Sequence, residues 1–131
     1  MTLRQTALGL ALSLAIAPAL AAPASLPAGG SSVAGRTVTV TLPYRLSEGF
    51  AWVSATRMSE MGPFMFEGLA VRPKAGPAGT DLSVFTYQAD KAGVATLKFG
   101  LVPNGQMLIG PPSMTYKGTP AKTFEAKVAV K

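Results

Sequence analysis

The side chains that could do chemistry in this sequence are few and of one kind. Six carboxylates, Glu48, Glu60, Glu67, Asp81, Asp90 and Glu125, make up the whole acid complement, and histidine and cysteine are both absent. Without imidazole there is no ordinary general base for serine or cysteine catalysis. Without thiols there is no thiol nucleophile, thiolate metal site, disulfide or lipid-modified N-terminal cysteine. The six acids show no local spacing that pairs them. These absences point to a binding protein and not to an enzyme, and they imply no cofactor. Met58, Met61 and Met65, with Met107 and Met114 further on, could offer thioethers to Cu(I). Copper sites of that kind usually recruit histidine as well, so the thioethers are expected to fill gaps beneath a loop and no metal is assigned.

Charge narrows the partners. Twelve Lys and Arg against six acids give a formal charge of +6. The basic residues are scattered singly, without a cluster or interleaved aromatics, which is not a nucleic-acid footprint.

The ends of the sequence carry their own signals. A short basic start, Met1-Thr2-Leu3-Arg4, precedes an apolar run over residues 7–20 that closes on the small residues Ala19-Leu20-Ala21. The run is short for a membrane span and has the form of a cleavable export signal over residues 1–21. Cleavage after Ala21 avoids placing Pro23 at the first mature position. It leaves about 110 residues, enough for one domain and too few for two. Residues 22–34 are Ala, Pro, Gly and Ser with little else, and the expectation is a flexible leader, with the domain over residues 35–131. The chain is thus expected to be secreted or periplasmic, with nothing left in the membrane after cleavage.

The elements that must position any site read as strands. Residues 36–42 alternate, with Val38, Val40 and Leu42 on one face and threonines on the other. Residues 124–131 repeat the pattern, with Phe124, Ala126, Val128 and Val130 opposite Glu125, Lys127, Ala129 and Lys131. Residues 50–54, 64–71, 82–88 and 94–101 are rich in aromatic or branched residues and bounded by Gly, Pro or Asp. Six short strands without a long helix predict an all-β, antiparallel sandwich. Trp52 is expected in its core. Asp90-Lys91-Ala92-Gly93 reads as a tight turn. Residues 100–122 are rich in Gly and Pro, and Asn104-Gly105 between two apolar runs predicts a protruding hairpin there. The charged outer face of the last strand disfavours edge pairing between copies, so a monomer is expected.

Residues 42–52 read Leu-Pro-Tyr-Arg-Leu-Ser-Glu-Gly-Phe-Ala-Trp. This resembles the chagasin family of secreted cysteine-peptidase inhibitors. In that family a strand ending in Leu-Pro leads to an Asn-Pro-Thr-Thr-Gly loop, then an aromatic, a small residue and Trp. Gly76-Pro77-Ala78-Gly79-Thr80-Asp81 stands where the family has a second Gly-rich loop, and the stretch from Lys91 through Phe99 resembles its later half. The similarity runs over residues 35–131. It implies an immunoglobulin-like sandwich without a disulfide. It also implies three loops at one end that plug the cleft of papain-like peptidases non-covalently.

Carried over by position, the central loop is Arg45, Leu46, Ser47, Glu48 and Gly49, and the second is Gly76, Pro77, Ala78 and Gly79. The third begins with Leu101, Val102, Pro103, Asn104 and Gly105. Two departures stand out. Arg45-Leu46-Ser47-Glu48 replaces Asn-Pro-Thr-Thr, and the third loop's Arg-Pro-Trp is missing. The alternative reading is an exported sandwich module that has lost inhibitory activity and binds an envelope partner through the 100–122 insertion.

Overall fold

The structure, a computed structural model, describes residues 23–131, so the expected export signal lies outside the described residues. Seven strands are present among them: β1 Gly30–Ala34, β2 Thr37–Tyr44, β3 Phe50–Ser54, β4 Phe64–Arg72, β5 Asp81–Ala89, β6 Gly93–Pro103 and β7 Lys122–Val130. All pairings are antiparallel. One sheet has the order β1-β2-β5-β4 and the other β3-β6-β7.

The alternation seen in the sequence becomes the core. Val38, Val40 and Leu42 from β2, Phe85 and Tyr87 from β5, Leu97, Phe99 and Leu101 from β6, and Ala126, Val128 and Val130 from β7 face one another between the sheets. Phe85 and Phe99 meet across the interface with ring centroids 4.7 Å apart. Trp52 is 4% exposed, as expected, and its indole Nε1–H donates to the Pro43 carbonyl at 2.9 Å. One buried polar atom lacks a partner among the described residues, the Tyr87 hydroxyl. Burial pushes its pKa up to about 12. The Ser54 hydroxyl beside it moderates that rise without reaching hydrogen-bond geometry, and it accepts from the Thr56 N–H at 3.2 Å.

Two expectations are corrected. The leader is not structureless throughout: Gly30–Ala34 pairs with Thr37–Thr41 as an edge strand. All five residues are exposed, so only the backbone ladder holds the strand, and such a ladder leaves no apolar pattern to read. The Asn104-Gly105 hairpin does not form. Its turn does, with Gly105 at φ 87° and the Gln106 N–H donating to the Pro103 carbonyl at 3.1 Å. Its second arm is diverted. Met107 forms a lone parallel bridge with Thr115, and Leu108 and Pro120 pack against Gly100 on the outer face of β6. Val102 shares that outward face and is fully buried, so the excursion covers apolar sheet surface and does not protrude.

Candidate functional site

Strand register gathers the candidate loops at one end of the sandwich. Tyr44 at the end of β2 pairs with Asp81 at the start of β5, Arg72 at the end of β4 pairs with Leu82, and Phe50 at the start of β3 pairs with Pro103 at the end of β6. The chain segments leaving these ends, residues 45–49, 73–80 and 104–105, therefore emerge side by side.

The central loop is a single 3-10 turn over Leu46–Glu48, closed by Gly49 at φ 82°. Only glycine takes that left-handed angle freely, which explains the residue. Leu46 is 46% exposed at the loop end, an apolar side chain offered to solvent, and Ser47 beside it is also exposed. The preceding Arg45 provides no cap. The Leu46 N–H is satisfied instead by Asp81 Oδ2, at 2.8 Å, from the neighbouring sheet strand.

Asp81 also holds the second loop. Its other oxygen, Oδ1, accepts from the Lys74 N–H at 2.8 Å. One carboxylate thus fastens two loops, and the Leu46 and Lys74 backbone donors, in that order, hold its pKa below the ordinary aspartate value. A carboxylate with both oxygens so occupied serves as an anchor and is a poor proton shuttle.

Within the second loop, Pro77–Gly79 makes a 3-10 turn, with Ala78 at φ 55° and Gly79 at φ 73°. Buried Thr80 ties it down: its hydroxyl donates to the Pro77 carbonyl at 2.7 Å, and its own carbonyl accepts from the Gly76 N–H at 2.8 Å. A Cβ at position 76 would fall against Thr80 Oγ1 and 2.8 Å from Leu82 Cδ2. Gly76→Ala is therefore expected to destabilise the fold by about 1–3 kcal/mol through overpacking, read as a lower urea midpoint. An unchanged midpoint would show that the loop yields freely.

The third candidate loop is only partly a loop. Leu101 and Val102 lie in β6 and are buried, so neither can meet a partner, and Pro103 is the strand's last residue. The cause is the apolar cover on both faces of β6, core on one side and excursion on the other. Asn104 and Gly105 alone form the exposed turn. The Asn104 N–H donates to the Gly49 carbonyl at 2.9 Å, which knits this turn to the central loop.

Sequence reasoning missed two contributors. Asp81 was legible only as a residue beside the second loop. The leader was expected only to be flexible, and its contacts were not foreseen: the Ala24 N–H donates to Glu48 Oε2 at 3.2 Å, Arg45 Nη1 donates to the Ser25 carbonyl at 3.2 Å, and Leu26 packs against the core. Residues 24–26 thus form a strap across the central loop. Met58, at 89% exposed, and Met65 stand largely in solvent, so these two do not fill a core gap, whereas Met61 packs against the core. Among the described residues no three acidic side chains gather as a metal site would need.

These features define a class: a disulfide-free, immunoglobulin-like sandwich that presents a knitted cluster of loops at one end. Among solved structures, the chain is similar to the cysteine protease inhibitor EhICP2 from Entamoeba histolytica. The two share 18% identity with a TM-score of 0.52, over 72% of this chain and 78% of that chain. The likeness bears out the fold that the resemblance implies. No protein-family model matches the sequence, and no curated protein matches it.

Proposed function

We propose that the chain is an exported, monomeric, non-covalent inhibitor of papain-like cysteine peptidases that inserts its loop cluster into the active-site cleft. The observation that carries this reading is the convergence of residues 45–49, 73–80 and 104–105 at one end, fixed by Asp81 and by the Asn104–Gly49 bond. A cluster ordered before binding loses little conformational entropy on insertion, which favours tight association. Leu46 is the apolar group best placed to enter the cleft. The likeness in fold to a cysteine protease inhibitor supports the same reading.

The test is direct. The chain freed of residues 1–21 should slow papain reversibly, and absence of inhibition of papain and several related peptidases at micromolar concentration overturns the proposal. Glu48 sharpens it. A carboxylate entering a cleft loses water, and Glu48 is only weakly engaged, by Ala24. Glu48→Thr is expected to lower the inhibition constant by about three- to tenfold, and a constant unchanged or raised would place Glu48 outside the interface.

The packing of Leu108 and Pro120 on Gly100 weighs against the alternative of an envelope-binding module working through the insertion, since those side chains are engaged within the domain.

A further inference from the structure

Four strands face three in this sandwich, and the mismatch leaves one strand uncovered. Because β7 lies over β1, the three-stranded sheet runs out before it reaches β4. A bulge at Glu67 resets the register of β4, so that Phe66, Leu69 and Val71 pair with Tyr87, Phe85 and Ser83 and share their inward face. These three apolar side chains point toward the opposite sheet and yet are 52%, 49% and 45% exposed. Phe66 and Leu69 border a hollow of about 330 Å3 whose other walls include Trp52, Met61 and Met107. That is about twice the ~150 Å3 that holds a benzene ring, so two apolar side chains would fit.

The rim of this groove is the free edge of β3. The Ala55 N–H bonds the Lys98 carbonyl at 2.7 Å, and the Asn104 N–H bonds the Gly49 carbonyl at 2.9 Å. In an antiparallel ladder, residues 51 and 53 must therefore also turn their backbone groups toward β6, and Phe50, Trp52 and Ser54 turn theirs outward. No loop or turn among the described residues bonds those outward groups. Edge strands are normally guarded by charge, proline or a bulge. The edge strand β4 has its bulge and Arg72, and β7 carries Lys122, Glu125 and Lys127. Phe50–Ser54 has none of these.

We infer that β3 and the groove beside it accept an extended peptide strand with apolar residues at alternate positions, which adds to the free edge as the missing fourth strand and seats those residues on Phe66 and Leu69. A row of unused backbone donors and acceptors specifies a strand, where an apolar hollow alone would specify nothing, and period-two side chains are what a strand delivers to one face.

The probe is a fluorescein-labelled peptide of alternating valine and threonine flanked by lysines, followed by anisotropy and by hydrogen exchange. Saturable binding is expected, with new protection of the Trp52 and Ser54 amides. A peptide with proline at its centre should bind about tenfold more weakly, because it lacks a ladder donor. Leu69→Glu should weaken binding by about tenfold or more, since it places a charge in the groove. The proline comparison uses the unaltered protein and stands whether or not that variant folds. Absence of binding overturns the inference, as does equal binding of the proline peptide. Filling of the groove by a small apolar dye in place of the peptide, without amide protection, also overturns it. So does a sedimentation mass of two copies with β3 already protected.

Discussion

Trp52→Ala is expected to lower the free energy of unfolding by about 3–5 kcal/mol, the usual cost of deleting a large buried aromatic. Domains of this size hold only about 5–15 kcal/mol in total, so the variant should unfold at low urea and melt well below the parent. The sole tryptophan fills the space between β3 and the end of β2, where its Nε1–H also bonds the Pro43 carbonyl, two residues before the central loop. Trp52→Phe separates the two contributions. It keeps most of the apolar volume but leaves that carbonyl unpaired, at an expected cost of about 1–3 kcal/mol. A loss below about 1 kcal/mol for the alanine variant would mean that the site collapses around the cavity. The core assignment of Trp52 would then lose its energetic meaning.

Asp81→Asn should leave the fold intact and weaken peptidase inhibition by about tenfold or more, because the loops it fastens lose their common anchor. An amide has one acceptor oxygen where the carboxylate has two, so either the Leu46 N–H or the Lys74 N–H goes unpaired. Amide exchange at Leu46 and Lys74 should accelerate in the variant. That readout needs no peptidase, and so it separates failure of the anchor from failure of the inhibitor reading.

The sign of the pH dependence follows from the lowered pKa of Asp81. A carboxylate whose folded pKa is depressed contributes its full stabilisation above the ordinary value of 3.8 and loses it as pH falls through the lower, folded value. Loop protection at Leu46 and Lys74 should therefore persist to pH values below 3.8 in the parent and then decay. In the Asn variant, the acid-dependent part should be gone. Acid-dependent exchange that survives in Asp81→Asn would assign the titration to another carboxylate.

How far the sequence could be read depended on the kind of signal involved. The period-two pattern of β2 and β7 placed Val38, Val40, Leu42, Ala126, Val128 and Val130 in the core because burial of one sheet face demands alternation. Gly49 marked the end of the central loop because its φ of 82° strains other residue types. The Asn104-Gly105 signal was right about the turn and wrong about the hairpin. Turn chemistry is local, but whether the following arm pairs depends on what else needs covering, and here Gly100 and Val102 on the outer face of β6 drew the chain across the sheet. The same demand buried Leu101 and Val102, which position alone had assigned to a loop.

By itself, then, the sequence determined the class of fold, the identity of the core and the place of the central loop. Each of these is dictated by side chains acting on near neighbours or on a single buried face. The tertiary structure alone decided which loops are joined and what lies uncovered. Asp81 reaches Leu46 from 35 residues away in sequence, and the strap from Ala24 reaches Glu48 across 24. The exposure of Phe66 and Leu69 arises because one sheet has a strand fewer than the other. Contacts of that range are set by strand order and register, and a backbone ladder such as Gly30–Ala34 leaves no side-chain pattern from which to read them.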